Sequence, residues 1–241
     1  DFMIKIPKII HYCWFGNNEL PAAAIDCMNS WREHLGDYEI MRWDESNFDV
    51  TCNQYVKEAY EAKKWAFVTD YVRLYALYHY GGVYLDTDVR VIKKLDEFLR
   101  HGFFSGYENK QLPEMIPTGT MGAEKEHPFI KALLADYNNL AFLKEDGKMD
   151  LTTNVARITK IAKERYNFNG NGEYEVFGED IHIYPYDYFS AFNGELSDYG
   201  RTDCYDITEN THTIHEFAGS WKKKKKKSRW IRFRDKVRSY F

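Results

Sequence analysis

Apolar and polar positions recur along this chain with two different periods, and the change of period marks its elements. Residues 5–16 form a short apolar run rich in β-formers (Ile6, Ile9, Ile10, Tyr12, Trp14, Phe15) that stops at Gly16, the pattern of a buried first strand. Residues 21–35 open on Pro21 and space Ile25, Met28 and Trp31 at helical intervals, which predicts a helix. A second strand is expected over residues 38–43, closed by Asp44, Glu45, Ser46 and Asn47. A polar helix then spans 54–63, and a more apolar one spans 65–80 with Gly81 and Gly82 as its stop. Strands are expected over 83–91 and 103–107, strand and loop over 115–122, and helices over 127–138 and 152–166. A Gly/Asn loop follows at 167–173, a strand at 176–185, and a loop bearing His212 and His215 across 203–219. Strands alternating with helices through the first hundred residues predict an α/β layered domain.

Candidate chemistry falls on the junction of the 65–80 helix with the strand after it. Asp86 and Asp88 are two apart on a segment expected to be extended, so their carboxylates share a side. Hard divalent cations take such oxygen ligands and commonly bind substrate phosphates with them. Carboxylates at strand ends of open α/β sheets also lie where ligands bind. Asp70 and Arg73 are spaced i,i+3 on a helix otherwise filled by Trp65, Phe67, Val68, Tyr71, Leu74, Tyr75, Leu77 and Tyr78. Charges on a helix buried on most faces are costly unless paired or used, and a carboxylate beside a guanidinium can hold several sugar hydroxyls. His215, Ser220 and Trp221 are further candidates, with His212 less favoured. Trp14 offers a platform for a nucleobase, whereas Trp31 and Trp43 are expected in the core.

Composition narrows the class. The 241 residues are 44% hydrophobic and 17% aromatic, enough for a sizeable core and unlike a disordered chain. Residues 222–241 carry eleven Lys and Arg against one Asp, a net +10, so the other 221 residues carry −14. An acidic body excludes nucleic acid as a partner of the main domain. The four cysteines show no zinc-ligand or disulfide spacing, and a reducing compartment is the plain reading. No charged-then-apolar leader pattern and no 18-residue apolar run occur, so a cytoplasmic location without a membrane span is expected.

Three blocks resemble glycosyltransferase family 32, the group with the DXD sugar-binding region, and more remotely the glucosyltransferase domains of large clostridial toxins. The first block is Ile6, Pro7, Lys8, Ile9, Ile10 and His11 with Trp14 and Gly16. The second runs from Lys64, Trp65 and Ala66 through Asp70, Arg73, Leu77, Tyr78, Gly81, Gly82, Tyr84, Leu85, Asp86 and Asp88. The third is His215 with Gly219, Ser220 and Trp221. The resemblance implies a single GT-A type domain over residues 3–221, with a Rossmann-like mixed sheet flanked by helices. It also implies Mn²⁺ or Mg²⁺, a nucleotide-diphosphate sugar donor (by family habit a UDP-sugar), and retention at the anomeric carbon. On these positions Asp88 would ligate the metal directly, with Asp86 on the ribose or a metal-bound water and His215 completing the metal set. Asp70 and Arg73 would bind the donor sugar, Trp14 would lie near the base, and Ser220 and Trp221 would close over the diphosphate. Two stretches depart from the family pattern. Thr118, Gly119 and Thr120 stand where relatives often carry Asn, and residues 151–154 lack a Gly-Pro. Both stretches, Asn154 included, face the acceptor in related folds. The sequence offers no carboxylate nucleophile, so front-face substitution is the expected route to retention.

The tail over residues 222–241 begins with six lysines. Ser228 can then cap a helix in which Trp230, Ile231, Phe233, Val237, Tyr240 and Phe241 gather on one side. That pattern suits a helix lying in an anionic membrane interface, where each basic residue adds roughly 1 kcal/mol. The expected enzyme is therefore a hexosyltransferase on the inner face of the cell membrane, extending a lipid-linked oligosaccharide in bacterial capsule or O-antigen synthesis. The alternatives are a toxin-like transferase modifying a protein, and a non-catalytic nucleotide-sugar-binding module at a membrane.

Overall fold

The computed structural model describes residues 3–218. Ser220, Trp221 and the basic tail over 222–241 lie outside the described residues. The chain runs β1 (Ile9–Cys13), α1 (Ala22–His34), β2 (Glu39–Trp43), α2 (Gln54–Glu61), α3 (Trp65–Tyr80), β3 (Gly82–Leu85), β4 (Val89–Val91), β5 (Phe103–Gly106), β6 (Thr120–Ala123), α4 (Pro128–Asp136), α5 (Asn154–Tyr166), β7 (Glu175–Phe177), β8 (Ile181–Tyr184), α6 (Tyr186–Phe189) and β9 (Thr213–His215). Seven strands form one sheet in the order β2-β1-β3-β6-β5-β8-β7, and β4 pairs with β9 in a separate ribbon. β1 is parallel to β2 and β3, β5 is parallel to β8, and β6 runs antiparallel between β3 and β5. This is the mixed α/β sheet flanked by helices, in one domain, that the sequence predicts.

Strand period splits the side chains between two cores, which is why these strands are apolar on both faces. Ile10, Tyr12, Val83, Leu85 and Phe104 pack with Met28, Trp31 and Phe98 on one side. Cys13, Tyr84, Phe103, Met121 and Ala123 pack with Val68, Val72, Leu77 and Phe129 on the other. Trp31 is fully buried and its Nε1 donates to the Val89 carbonyl at 2.8 Å, which ties α1 to the segment just after Asp88. Trp31 and Trp43 are core residues, as expected.

The corner between α3 and β3 is held by backbone shape and one histidine. Gly81 and Gly82 have φ of +65° and +115°, and a Cβ on Gly82 would lie 2.6 Å from the Ile9 carbonyl oxygen, so no other residue fits there. His11 accepts from Trp43 Nε1 at Nδ1 (3.1 Å) and therefore presents Nε2–H to the Gly81 carbonyl at 2.7 Å. The histidine of the first sequence block thus fixes the start of β3 rather than meeting a ligand.

The structure differs from the sequence reading at four elements. In α1, Ile25 is 45% exposed and the buried face is Ala24, Cys27, Met28 and Trp31. A strict three-residue spacing rotates around a helix, whereas the i, i+3, i+4, i+7 set stays on one face. Residues 83–91 are not one strand. The Asp86 carbonyl accepts from Val89 N at 3.0 Å, closing a turn between β3 and β4, so Asp86 and Asp88 sit on that turn. Residues 176–185 break at Gly178 and Asp180, both with positive φ, into the antiparallel pair β7 and β8. The expected loop over 203–219 contains β9, which pairs with β4 so that Val89 faces His215. No helix among the described residues is long and apolar enough to cross a membrane.

Candidate active site

The turn after β3 and the end of β9 meet at one end of the sheet. Antiparallel pairing of β4 with β9 brings His215 Nε2 to 3.3 Å from Asp88 Oδ1 and 4.0 Å from Asp86 Oδ2. Ligand atoms of Asp86, Asp88 and His215 all lie within 4.8 Å of one another. The register is fixed from both sides. Glu216 N donates to the Asp88 carbonyl at 2.9 Å, and the Arg90 guanidinium pairs with buried Glu216 at 2.7 Å. Asp88 Oδ2 accepts from Ala218 N at 3.0 Å, and Asp86 N donates to the Gly119 carbonyl at 2.8 Å.

Arg73 enters from α3. Its Nη1 donates to the Thr118 carbonyl at 2.6 Å, its Nη2 lies 3.3 Å from Asp70 Oδ1 and 3.4 Å from Asp86 Oδ1, and its guanidinium sits 4.6 Å over the Tyr84 ring. Tyr84 in turn donates its hydroxyl to Asp86 Oδ1 at 2.9 Å. Asp70 Oδ2 accepts from Asn154 N at 3.1 Å, and Asn154 Nδ2 donates to the Asp70 carbonyl at 3.0 Å. Two stretches expected to face an acceptor, at Thr118–Thr120 and at Asn154, therefore brace Arg73, Asp86 and Asp70.

Electrostatics follow from this crowding. Burial raises the Asp70 carboxyl to about 6, against the pull of Arg73. Burial also works against a charged Arg73 and a charged His215. For Arg73, Asp86 and its other neighbours outweigh burial and raise the pKa; for His215, Asp88 and then Asp86 do so and raise it to about 9. Burial alone would raise Asp88, yet His215 and the Ala218 amide hold it below the ordinary carboxylate range. The proton on His215 is the positive charge that two neighbouring acids demand, and two carboxylates with one imidazole are a donor set that could hold a divalent cation such as Mn²⁺.

These residues open onto a cavity of about 700 Å³ whose wall includes Trp14, Arg73, Asp86, Asp88, Glu108 and His215, a size suited to a small-molecule ligand. Trp14 is half-buried with Nε1 donating to the Asn18 carbonyl at 2.7 Å. Asp70 does not line the cavity and reaches it through Arg73. His212 lies elsewhere, bonded to Glu97 at 2.8 Å. Cys13 and Cys27 are buried free thiols, and Cys52 and Cys204 are unpaired.

Residues 21–104 match the family model described as a glycosyltransferase sugar-binding region containing the DXD motif. The matched stretch runs from the start of α1 to β5 and includes Asp70, Arg73, Asp86 and Asp88. Inositol phosphoceramide mannosyltransferase 3 of Schizosaccharomyces pombe is 32% identical over 145 residues, which is 57% of this chain and 38% of that protein. Mannosyl phosphorylinositol ceramide synthase SUR1 of Saccharomyces cerevisiae is 28% identical over 78% of this chain and 51% of that protein. The chain thus spans about two fifths to one half of these curated relatives. An uncharacterized glycosyltransferase of Acanthamoeba polyphaga mimivirus is 25% identical over 83% of this chain and 80% of that protein. Among solved structures, the galactosyltransferase LgtC with donor and acceptor sugar analogues is 15% identical, with a TM-score of 0.47 over 96% of this chain and 95% of that one.

Several cavity residues of this DXD protein were not singled out from sequence. Tyr84 was legible, because it lies two residues before Asp86 on a strand. Glu108, Tyr199 and Phe217 carried no local signal. Phe217 has φ +46°, a strained value for a non-glycine residue, and its ring stacks on His215 (3.9 Å) and Tyr199 (4.0 Å). The expected roles of Ser220 and Trp221 fall outside the described residues.

Proposed function

We propose that this chain transfers a hexose from a nucleotide-diphosphate sugar to a hydroxyl of a lipid-linked acceptor, with retention of configuration and with a divalent cation. The observation that carries the reading is the convergence of Asp86, Asp88 and His215 beside Arg73 on one cavity wall. Asp86, Asp88 and His215 would hold the cation, which when bound would neutralise charge developing on the departing diphosphate. Arg73, locked by Asp70, Asp86 and the Thr118 carbonyl, supplies a fixed positive charge at the same wall without reorganising. Trp14 stands at the wall as a flat surface for a nucleobase.

The relatives' names favour a lipid acceptor with a phosphoinositol-like head group over the bacterial capsule oligosaccharide expected from sequence. Such an acceptor suits the basic tail over 222–241, read as an attachment to an anionic membrane face. The donor is either a UDP-sugar or GDP-mannose. The test is a panel of UDP-glucose, UDP-galactose and GDP-mannose with Mn²⁺ and with EDTA, followed by mass measurement of the donor. Manganese-dependent loss of one sugar nucleotide is expected. No turnover of any of them by the full chain would overturn the reading.

A further inference from the structure

Glu108 stands just beyond β5, at the end of the sheet that carries the DXD turn. Its backbone N donates to the Met115 carbonyl at 2.9 Å, and its Oε1 accepts from the Tyr199 hydroxyl at 3.0 Å. Tyr199 is held in its turn by Asn109 Nδ2, 3.3 Å from the hydroxyl, and by the stack through Phe217 to His215. The residue is only 8% exposed, and Oε2 has no hydrogen-bond partner among the described residues. A buried carboxylate oxygen left without a donor is costly, and native structures keep few of them. This one lines the same cavity as Asp86, Asp88 and His215, yet lies outside the three-residue set whose ligand atoms converge for a cation. Glu108 thus brings a carboxyl group with one oxygen bonded to Tyr199 and the other unpaired to the wall of the cavity that the sugars would share.

We propose that Glu108 Oε2 binds a sugar hydroxyl in this cavity and so sets which sugar is used. The inference rests on the glycosyltransferase reading and adds a specificity-determining residue to it. The hydroxyl belongs either to the donor's hexose or to the acceptor, and the two sources are separable by experiment.

Glu108→Gln is the informative variant. Its Oε1 still accepts from Tyr199, but the unpaired Oε2 is replaced by an NH₂ donor. Two arms are measured on the full chain: Mn²⁺-dependent hydrolysis of UDP-glucose, UDP-galactose and GDP-mannose, and binding of methyl α-mannopyranoside, methyl α-glucopyranoside and myo-inositol by NMR titration. Leaving one buried group unpaired typically weakens binding by about 10–100-fold. A rise of that size in the donor KM assigns the hydroxyl to the donor, and a rise of that size in a glycoside or inositol Kd assigns it to the acceptor. Far-UV circular dichroism should show a folded protein, and Mn²⁺ should still bind, in either case. The deoxy analogue lacking that hydroxyl should bind wild type more weakly and Glu108→Gln no more weakly than the parent sugar does. If both arms of Glu108→Gln fall within twofold of wild type, or if no probe binds wild type, the proposal is overturned. Failure of the glycosyltransferase reading looks different: no sugar nucleotide is hydrolysed by wild type, while the binding arm still decides the role of Glu108.

Discussion

His215 Nε2 lies 3.3 Å from Asp88 Oδ1 because β9 pairs antiparallel with β4, placing Val89 opposite His215. That contact makes cation binding a competition with a proton. His215 is held charged up to about pH 9 by its acids, Asp88 foremost, against the opposing effect of burial. A metal must displace that proton. Mn²⁺ affinity, followed by titration calorimetry, should therefore rise about tenfold per pH unit between pH 7 and 8. His215→Ala should bind more weakly and lose the slope. The metal-free protein should show the converse: the stability that His215 contributes is full below its unfolded value of 6.5 and is lost as pH rises through about 9.

Asp88→Asn keeps the size of the side chain and removes the charge. Losing one fixed electrostatic contact of this kind typically raises a barrier by about 2.7–4 kcal/mol, so turnover of the sugar nucleotide should drop by at least about a hundredfold. Circular dichroism should show a folded protein. Near-normal turnover would refute a metal role for Asp88.

Asp70 is buried and its carboxyl is raised to about 6. A carboxyl raised on folding contributes stability that is fully present below its unfolded value of 3.8 and is lost as pH rises through about 6. Ionising it at pH 7.5 costs on the order of 3 kcal/mol, or about 6–12 °C in Tm for a chain of this size. Asp70→Asn should melt higher than wild type at pH 7.5 and no higher at pH 3. Its turnover should fall, because Arg73 loses one of the two carboxylates that aim it. A lower Tm for Asp70→Asn at pH 7.5 would count against this account.

Gly119 permits close approach of the two halves of the metal set. A Cβ there would lie 2.9 Å from His215 Cε1 and 3.2 Å from Asp86 Oδ2. Gly119→Ala should weaken Mn²⁺ binding and turnover together while the sheet stays folded. Unchanged Mn²⁺ affinity in this variant would show that the two groups need not approach as closely.

Deleting residues 222–241 removes eleven basic side chains, each adding about 1 kcal/mol near an anionic leaflet. Binding to phosphatidylserine vesicles should be abolished in flotation assays while donor hydrolysis persists. A truncated chain that still floats with those vesicles would locate the membrane contact elsewhere.

Local sequence determined the elements and half of the site. Apolar runs and glycine stops fixed α3 at residues 65–80, because helix period and a positive-φ terminator are properties of neighbours in the chain. Asp70 with Arg73, and Asp86 with Asp88, were legible because each pair lies within a few residues. Tertiary structure decided the rest. Whether His215 reaches the turn that carries Asp86 and Asp88 depends on pairing between β4 and β9, and how that turn is anchored to the sheet depends on the bond from Asp86 N to the Gly119 carbonyl. Glu108 next to Tyr199 is likewise a contact between segments that no spacing rule connects. Local backbone preference is written residue by residue, whereas the register between distant segments is set by how the whole core packs and which charges must be paired inside it.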